Sequence, residues 1–305
     1  GQSLVRKAAV VSSVGGHHLL MMGPPGTGKT RLARILGRLQ PDLDRDRALE
    51  VTRIHSAAGT LGQPALIRRP PLRAPHHTVT RAGLVGGVGA TRPGEVTLAH
   101  GGMLFLDELA EFSPRVLDAL REPLEEGRVV LARGTGHHDF PARFQLVAAM
   151  NPCRCGFLGS EVRTCRCRVH ERASYLSRLS GPLLDRFDLF VEVGPWKGAY
   201  LTRKAPQKNP MKAGGDWRQN PDGDHLAAAR RVLREWRAAG LRQRLAPRGA
   251  LALDESREAL GLSLRGVERC LRVAATLAVL DGRRTIGPET VAEALEFRRE
   301  NLMAE

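Results

Sequence analysis

A glycine-rich stretch near the start of the chain has the residue types and the spacing of a phosphate-binding loop. It consists of Gly23, Pro24, Pro25, Gly26, Thr27, Gly28, Lys29 and Thr30, followed by Arg31. The run fits Gly-x4-Gly-Lys-[Ser/Thr], in which the glycines let backbone N–H groups turn towards a phosphate chain. Lys29 would reach the β- and γ-phosphates of a nucleotide, and the Thr30 hydroxyl would bind Mg²⁺. We predict that these nine residues bind nucleotide; a chance match in a glycine-rich chain is the alternative.

Two carboxylates follow a second apolar run and supply further chemistry. Residues 103–106 (MLFL) are followed by Asp107 and Glu108, as expected for a buried parallel strand whose tip carries charge. Asp107 would hold the Mg²⁺ through water, and Glu108 would polarise the attacking water. For this segment alone, a strand that simply ends in solvated acids is the alternative. Combined with the phosphate loop, the pair predicts an ATPase or a GTPase.

Regular elements must bring these residues together. The apolar run 19–22 predicts a short strand before the loop, and apolar residues at helical spacing predict a helix over 29–39. A third buried strand, 145–150, ends at Asn151, which we place at the same sheet edge as the two acids, to order the water or sense the γ-phosphate. The predicted fold is therefore an α/β P-loop core with a parallel sheet and helices on both faces.

The rest of the chain predicts a hairpin and a smaller helical domain. Ser113 and Pro114 begin a helix that Pro123 and Gly127 end, and a β-hairpin follows at about 127–145. Four helices are expected in a lid at 225–305, and they are predicted from Asp224 to Ala239, from near Asp254, from Leu264 to Leu280 and from Pro288. Residues 1–193, with an amphipathic helix at their start, are assigned to the core, and 194–224 to a linker.

The charge balance indicates a phosphate-rich partner. The net charge is +15, and 47 residues are basic against 32 acidic ones. Residues 51–94 contain no acid, but they contain Arg53, Arg68, Arg69, Arg73, Arg81 and Arg92. Such a stretch is suited to holding a nucleic-acid backbone, with an ordinary basic surface as the alternative. Because the sequence shows neither a secretory signal nor a membrane span, we expect a soluble, cytoplasmic protein.

Four of the five cysteines lie close together at Cys153, Cys155, Cys165 and Cys167. Disulfides are disfavoured in the cytosol, and four thiolates fit a tetrahedral Zn²⁺ site. The Cys-x-Cys spacing is tighter than the usual Cys-x2-Cys, so free thiols or loop packing are the alternatives. The sequence thus predicts a structural zinc site within the insert 153–167.

Two arginines are candidates for contacts between subunits. Arg186 has no evident role within one chain, but at a subunit boundary it would reach the γ-phosphate of a neighbour. Arg265, at the start of a lid helix, would contact nucleotide from across the lid; a surface arginine near a helix start is the alternative.

The motifs GPPGTGKT, MLFLDE, AMNP, LLDRFDL and SLRG, in this order, resemble those of AAA+ ATPases. The stretch APHHTVTRAGLVGG, the hairpin run EPLEEGRVVLAR and the insert NPCRCG…CRC resemble the magnesium-chelatase-like ComM/YifB family in particular. This resemblance implies an ATPase that forms hexameric rings and drives branch migration of DNA in homologous recombination during natural transformation.

The resemblance also implies residue roles. Lys29 and Thr30 would be phosphate-loop contacts, Asp107 and Glu108 the metal and water residues, and Asn151 the first sensor. Arg186 would be the arginine finger given to the next subunit, and Arg265 the second sensor. The segment at about 70–100 corresponds to the family's helix-2 insert, and both it and the hairpin would face a central pore holding single-stranded or branched DNA. The family's usual N-terminal Lon-protease-like domain is expected to be absent here.

Three other functions are compatible with the motifs. They are the motor subunit of a magnesium chelatase, a AAA+ remodeller of proteins, and a nucleotide-switched DNA-binding scaffold. The arginine-rich segment and the cysteines favour DNA over the chelatase, and the complete catalytic set argues against a scaffold. A protein remodeller is expected to carry an aromatic pore residue, whereas the pore candidates here offer Arg and His, with Phe140 and Phe144 in the hairpin's second strand.

Overall fold

The computed structural model describes residues 2–62, 65–87, 93–133, 136–160, 163–195 and 223–298. The predicted linker 194–224 therefore lies almost entirely outside the described residues, as do Arg92 of the basic stretch and residues 134–135 at the hairpin tip. Two compact units are present: residues 16–190 form one, and residues 1–15 join residues 191–305 in the other.

The helices are α1 (Gln2–Gly15), α2 (Lys29–Leu39), α3 (Arg45–Ala57), α4 (Arg81–Val85), α5 (Glu95–Leu98), α6 (Pro114–Asp118), α7 (Arg121–Glu126), α8 (Val169–Leu176), α9 (Gly181–Leu184), α10 (Gly223–Ala239), α11 (Pro247–Leu260), α12 (Leu264–Leu280) and α13 (Pro288–Leu295). The strands are β1 (Leu19–Met22), β2 (Leu72–Arg73), β3 (Met103–Leu106), β4 (Arg128–Arg133), β5 (Gly136–Pro141), β6 (Gln145–Met150) and β7 (Leu189–Glu192). Two 3₁₀ turns lie at Leu109–Glu111 and Leu241–Arg244.

Five strands form the central sheet in the order β2-β3-β6-β1-β7. The pairs β1·β6, β3·β6 and β2·β3 are parallel. In the register, Met22 pairs with Met150 and Leu106 pairs with Ala148. The carboxyl ends of β1, β3 and β6 therefore reach the same edge within two residues of one another. The α/β fold class predicted from the sequence is confirmed.

Burial explains why these strands are nearly continuous apolar runs. Every residue of β3 and β6 is buried, as expected for central parallel strands that are covered on both faces. The first polar side chain after such a run appears only where the strand leaves the sheet. The sequence pattern therefore marks the strand ends as well as the strands.

The basic stretch 51–94 is largely loop, as predicted, but it also contributes an edge strand that the sequence did not reveal. β2 has only two residues, which is too short for a periodic pattern. Arg73 on β2 donates from Nε and Nη2 to the two carboxylate oxygens of Glu95, at 2.6 and 2.7 Å. Because Glu95 neutralises Arg73 in this partly buried pair, Arg73 is not among the basic residues open to a phosphate backbone.

The single helix predicted after Ser113 is wrong, because the chain forms α6 and α7 instead. Pro123 does not end a helix; it lies in the first turn of α7, where a missing backbone N–H disrupts no helical hydrogen bond. Gly127 ends α7 with a left-handed backbone, φ 69°. The hairpin that follows is confirmed, since β4 and β5 pair antiparallel from Arg128 opposite Pro141 onwards.

The second unit consists of helices. Twelve of the seventeen residues of α12 are buried, and the helix packs against α10 and α13. α1 packs on α10 and α12, so the first helix belongs with this unit rather than with the core assigned at 1–193. Arg237 of α10 donates to the Gly15 carbonyl at the end of α1. α11 begins at Pro247, not near Asp254, because proline at the first helical position starts it earlier.

Within the described part of the chain, no helix is both long enough and apolar enough to cross a membrane.

The junction of β2 and β3 supplies a test of the sheet. A Cβ added to Gly102 would lie 2.0 Å from the Pro71 carbonyl oxygen, which accepts the Met103 N–H. Gly102→Ala is expected to lower the free energy of unfolding by about 3 kcal/mol, because the backbone must shift to relieve this overlap. Urea unfolding would measure the loss. Gly62→Ala is the matched control, since a Cβ there meets no described atom within 4 Å; equal stability of the two variants would contradict the prediction.

Candidate nucleotide-binding site

The loop between β1 and α2 is shaped by two glycines with left-handed backbone. Gly26 has φ 77° and Gly28 has φ 91°, conformations that a side chain would strain. They turn the chain so that α2 begins directly after Gly28, with the helix N-terminus at the loop. The Gly23 N–H donates to the Met150 carbonyl at 3.2 Å, which fastens the loop to the end of β6. Backbone N–H groups at a helix start suit the binding of phosphate.

Lys29 links the loop to the strand next to it. Its Nζ donates to the carbonyls of Gly23 and Pro24, at 2.6 and 2.8 Å, and to Asn151 Oδ1 at 3.3 Å. Burial lowers the pKa of Lys29, while the nearby carboxylates of Asp107 and Glu108 act to raise it. The predicted first sensor therefore contacts the predicted phosphate-binding lysine directly.

Thr30 and Asp107 meet as the motif requires. The Thr30 hydroxyl donates to Asp107 Oδ2 at 2.6 Å, so that one hydroxyl and one carboxylate lie side by side. Hard oxygen ligands of this kind suit Mg²⁺, which keeps several waters and takes few ligands from the protein. The donor set thus fits a magnesium ion held next to bound phosphates.

Glu108 has an unusual backbone and a partner that sequence analysis missed. It is the one non-glycine residue with positive φ in the described part of the chain, at φ 54°. His77 Nδ1 lies 3.4 Å from Glu108 Oε2, and the His77 ring packs edge-on to Phe112. His76 and His77 lie within the basic stretch 51–94, and no catalytic role was predicted for either of them from the sequence. The contact between His77 and Glu108 could not be predicted from the sequence, because no spacing rule links a loop histidine to an acid 31 residues further along the chain.

The predicted residues converge on one open cleft of about 690 Å³. It is lined by Pro25, Gly26, Thr27, Gly28, Lys29, Thr30, Arg31, Arg34, Asp107, Glu108, Met150 and Asn151. Apart from Arg34 and Met150, all of them were predicted from the motifs. Their convergence is a geometric result, whereas their individual roles in hydrolysis stay predictions.

Arg186 is placed differently from the sequence interpretation. It follows α9 and is buried, with Nη2 donating to Glu125 Oε2 at 2.8 Å and Nη1 donating to the Pro182 carbonyl at 3.2 Å. The inference that it has no role within one chain is therefore wrong, because it joins α9 to α7. Its Nε, also buried, has no hydrogen-bond partner among the described residues. Arg265 is exposed in the first turn of α12, in the helical unit.

The four clustered cysteines come together although the chain separates them into two pairs. Cys153 Sγ lies 3.4 Å from Cys155 Sγ and 3.6 Å from Cys165 Sγ. The Cys155 N–H donates to Cys167 Sγ at 3.3 Å. All four sulfurs lie within 4.8 Å of one another, and Cys270 is elsewhere, buried in α12. The predicted grouping of thiols is thus present as a set that could hold a metal ion.

Two family models match the chain. The model described as magnesium chelatase, subunit ChlI, matches residues 1–201, and the model described as magnesium chelatase, subunit ChlI C-terminal, matches residues 224–298. Together they cover both structural units. The resemblance predicted from the motifs is confirmed at the level of the family.

Curated relatives extend this result. An uncharacterised protein of Mycobacterium tuberculosis is 46% identical over 98% of this chain and 60% of the relative. Competence protein ComM of Haemophilus influenzae is 38% identical over 98% of this chain and 58% of the relative. A Holliday junction branch migration complex subunit, RuvB of Anaeromyxobacter dehalogenans, is 36% identical over 52% of this chain and 37% of the relative. The chain thus spans about 60% of the length of the relatives that it matches throughout.

Nucleotide binding can be tested at Lys29. Lys29→Met is expected to weaken ATP binding by about 100-fold, because charge-assisted hydrogen bonds contribute about 1.5–3 kcal/mol each. Titration with a fluorescent ATP analogue would measure the dissociation constant. Lys7→Met serves as the control, since Lys7 pairs with Glu293 in the helical unit. If both variants bind ATP as the unmodified protein does, the phosphate site lies elsewhere.

Proposed function

The chain belongs to the magnesium chelatase subunit ChlI family, and from this premise we propose that it is the ATP-hydrolysing part of a hexameric DNA motor. The motor would act in the cytoplasm on single-stranded or branched DNA and drive branch migration, a helicase-type activity, in homologous recombination during natural transformation. The observation that carries the proposal is the convergence of Lys29, Thr30, Asp107, Glu108 and Asn151 at one sheet edge.

The chain's own residues suffice to bind and orient Mg-ATP. Lys29 and the loop N–H groups would bind the β- and γ-phosphates, as the helix start at Gly28 favours. Thr30 and Asp107 would hold the magnesium ion, which supplies charge neutralisation at the phosphates when bound. Asn151, whose Oδ1 accepts a hydrogen bond from Lys29, would touch the γ-phosphate or the attacking water.

Glu108 would orient the attacking water and accept its proton. Its side chain is 56% exposed, lines the cleft and lies 3.4 Å from His77, so that a water bound in the cleft would compete with the imidazole for this carboxylate. Because His77 lies in the basic stretch, a partner that moves this stretch would also change the contact to Glu108.

Ring assembly would complete the site. We propose that Arg186 is the arginine finger that each subunit supplies to the ATP site of its neighbour, and that Arg265 acts as the second sensor. In the single chain Arg186 is held by Glu125 on α7. In the ring, the γ-phosphate bound by a neighbouring subunit would replace Glu125 as the anionic partner of this guanidinium. Arg186 would then stabilise the charge that develops during phosphoryl transfer.

The DNA assignment has two supports. Four arginines are exposed in the stretch that contains no acid, namely Arg53, Arg68, Arg69 and Arg81. Exposed arginines bind phosphate backbones, and the release of counterions from the nucleic acid favours this binding. Two relatives are named a competence protein and a subunit of a Holliday junction branch migration complex, and these names support the proposal. The four clustered cysteines are proposed to bind zinc.

A second candidate follows from the family description. A motor subunit of a magnesium chelatase would use the same ATP site to drive metal insertion by a partner protein. A AAA+ remodeller of proteins would also use it. Both alternatives predict that ATP turnover is indifferent to DNA, which separates them from the motor proposed here.

Turnover with DNA is the first test. The ATPase rate is expected to rise with single-stranded or forked DNA, and the stimulation is expected to weaken between about 50 and about 200 mM salt, because phosphate contacts release counterions. The double variant Arg68→Ala/Arg69→Ala should reduce stimulation more than Arg47→Ala, because the Arg47 guanidinium on α3 already pairs with Asp44, the residue that caps this helix. A rate that no DNA changes would favour the chelatase or the remodeller.

The finger assignment is tested by separating Arg186 from its partner. Arg186→Ala is expected to lower ATP turnover by about 10³-fold or more while nucleotide affinity stays nearly unchanged. Glu125→Ala removes the same ion pair but leaves the guanidinium available, so turnover should persist. Comparable losses in both variants would show that Arg186 serves only to fasten α9 to α7.

A further inference from the structure

The cysteine cluster lies next to the ATP site rather than on a remote surface. Cys153 is two residues beyond Asn151, and Gly156, between the two cysteine pairs, is buried against the phosphate loop. A Cβ on Gly156 would lie 2.8 Å from Pro25 Cδ and 3.7 Å from Asn151 Cγ. The loop that carries the first two cysteines therefore touches both the phosphate loop and the predicted sensor.

The second pair of cysteines leads into a helix that returns to the same site. Arg172 of α8 donates to the Cys167 carbonyl at 3.2 Å. Tyr175 of α8 is buried, and burial raises the pKa of its phenol to about 12, an effect that the nearby backbone of Asn151 partly opposes. Arg178, just after α8, donates to the Ala110 carbonyl at 2.8 Å, close behind Glu108. The described residues of segment 151–178 thus contact the phosphate loop after β1 and the turn after β3.

Among the described residues of segment 151–178, only α8 is regular secondary structure. Between Asn151 and Arg168 the described residues form neither helix nor strand. Its compact path depends on bringing two distant Cys-x-Cys pairs together, and free thiols attract each other only weakly. A bound ion with four thiolate ligands would stabilise this path, since metal binding at such sites contributes directly to the free energy of folding.

The sulfur geometry fits zinc. With Zn–S bonds of about 2.3 Å, a tetrahedral site separates its sulfurs by about 3.8 Å. The separations of 3.4 and 3.6 Å among Cys153, Cys155 and Cys165 are close to this value, and they are too long for disulfides. The Cys155 N–H that donates to Cys167 Sγ is the kind of backbone bond that orients a thiolate ligand.

We propose that Cys153, Cys155, Cys165 and Cys167 bind one Zn²⁺, and that this ion fastens segment 151–178 against Pro25 and Asn151 so that zinc occupancy sets the affinity of the cleft for ATP. The proposal rests on the proposed function only in taking the cleft to be an ATP site. It assigns the cysteines a role in shaping the phosphate loop, besides any role in local folding.

Metal content and nucleotide affinity are measured separately on the full chain. Elemental analysis of the unmodified protein is expected to give one zinc per chain, and Cys165→Ser is expected to lose it and to weaken ATP-analogue binding about tenfold. Cys270→Ala is the cysteine control and should change neither value. A protein without zinc, one that holds iron instead, or a Cys165→Ser variant with unchanged affinity would overturn the proposal.

A second pair of variants tests the contact without touching the ligands. Gly156→Ala keeps all four cysteines but pushes on Pro25, whereas Gly159→Ala has the same left-handed strain, φ 71° against 84°, and meets no described atom within 4 Å. Both should retain zinc, and Gly156→Ala alone should weaken nucleotide binding, by about tenfold. Equal affinities in the two variants would overturn the coupling.

Failure of this inference is distinguishable from failure of the proposed function. If the unmodified protein binds no ATP, the proposed function fails whatever the zinc content. If the protein binds and hydrolyses ATP, but its affinity for ATP depends neither on zinc nor on Gly156, only the proposed coupling between zinc and the cleft fails.

Discussion

The parallel pairing of β6 with β1 on one side and β3 on the other is the constraint on which the site depends. This register brings the phosphate loop, Asp107 and Asn151 to one edge although 122 residues separate Lys29 from Asn151. Each contact in the cleft is short because three strands end at nearly the same level. A shift of β6 by one residue would reverse the faces of its side chains and move Asn151 away from Lys29.

The sequence predicts most of this edge because the strands are buried on both faces. Apolar runs of four to six residues with a polar residue at their end are visible without a structure, as 103–108 and 145–151 illustrate. The same reasoning placed α2 and α12 correctly. It located the start of α11 wrongly, and it could not find β2, because two residues have no period.

Contacts between loops are beyond such reasoning. His77 reaches Glu108, and Arg186 reaches Glu125 across 61 residues, through backbone paths that no local pattern encodes. Arg73 shows the same limit for charge. It was counted among the bases open to nucleic acid, yet Glu95 neutralises it in a partly buried pair. The number of basic residues in a stretch therefore sets an upper limit on the basic side chains that can bind nucleic acid, and side-chain pairing decides how many of them are available.

The left-handed backbone of Glu108 lowers the stability of the protein at a predicted catalytic position. A residue with a side chain is strained in the left-handed region, where glycine is not, and such strain is about 1–3 kcal/mol. Glycine at this position would make a more stable protein without the carboxylate. Selection for stability alone would thus favour glycine, and the proposed role of Glu108 in orienting water would make this position a trade-off between durability and activity, located in a single φ angle.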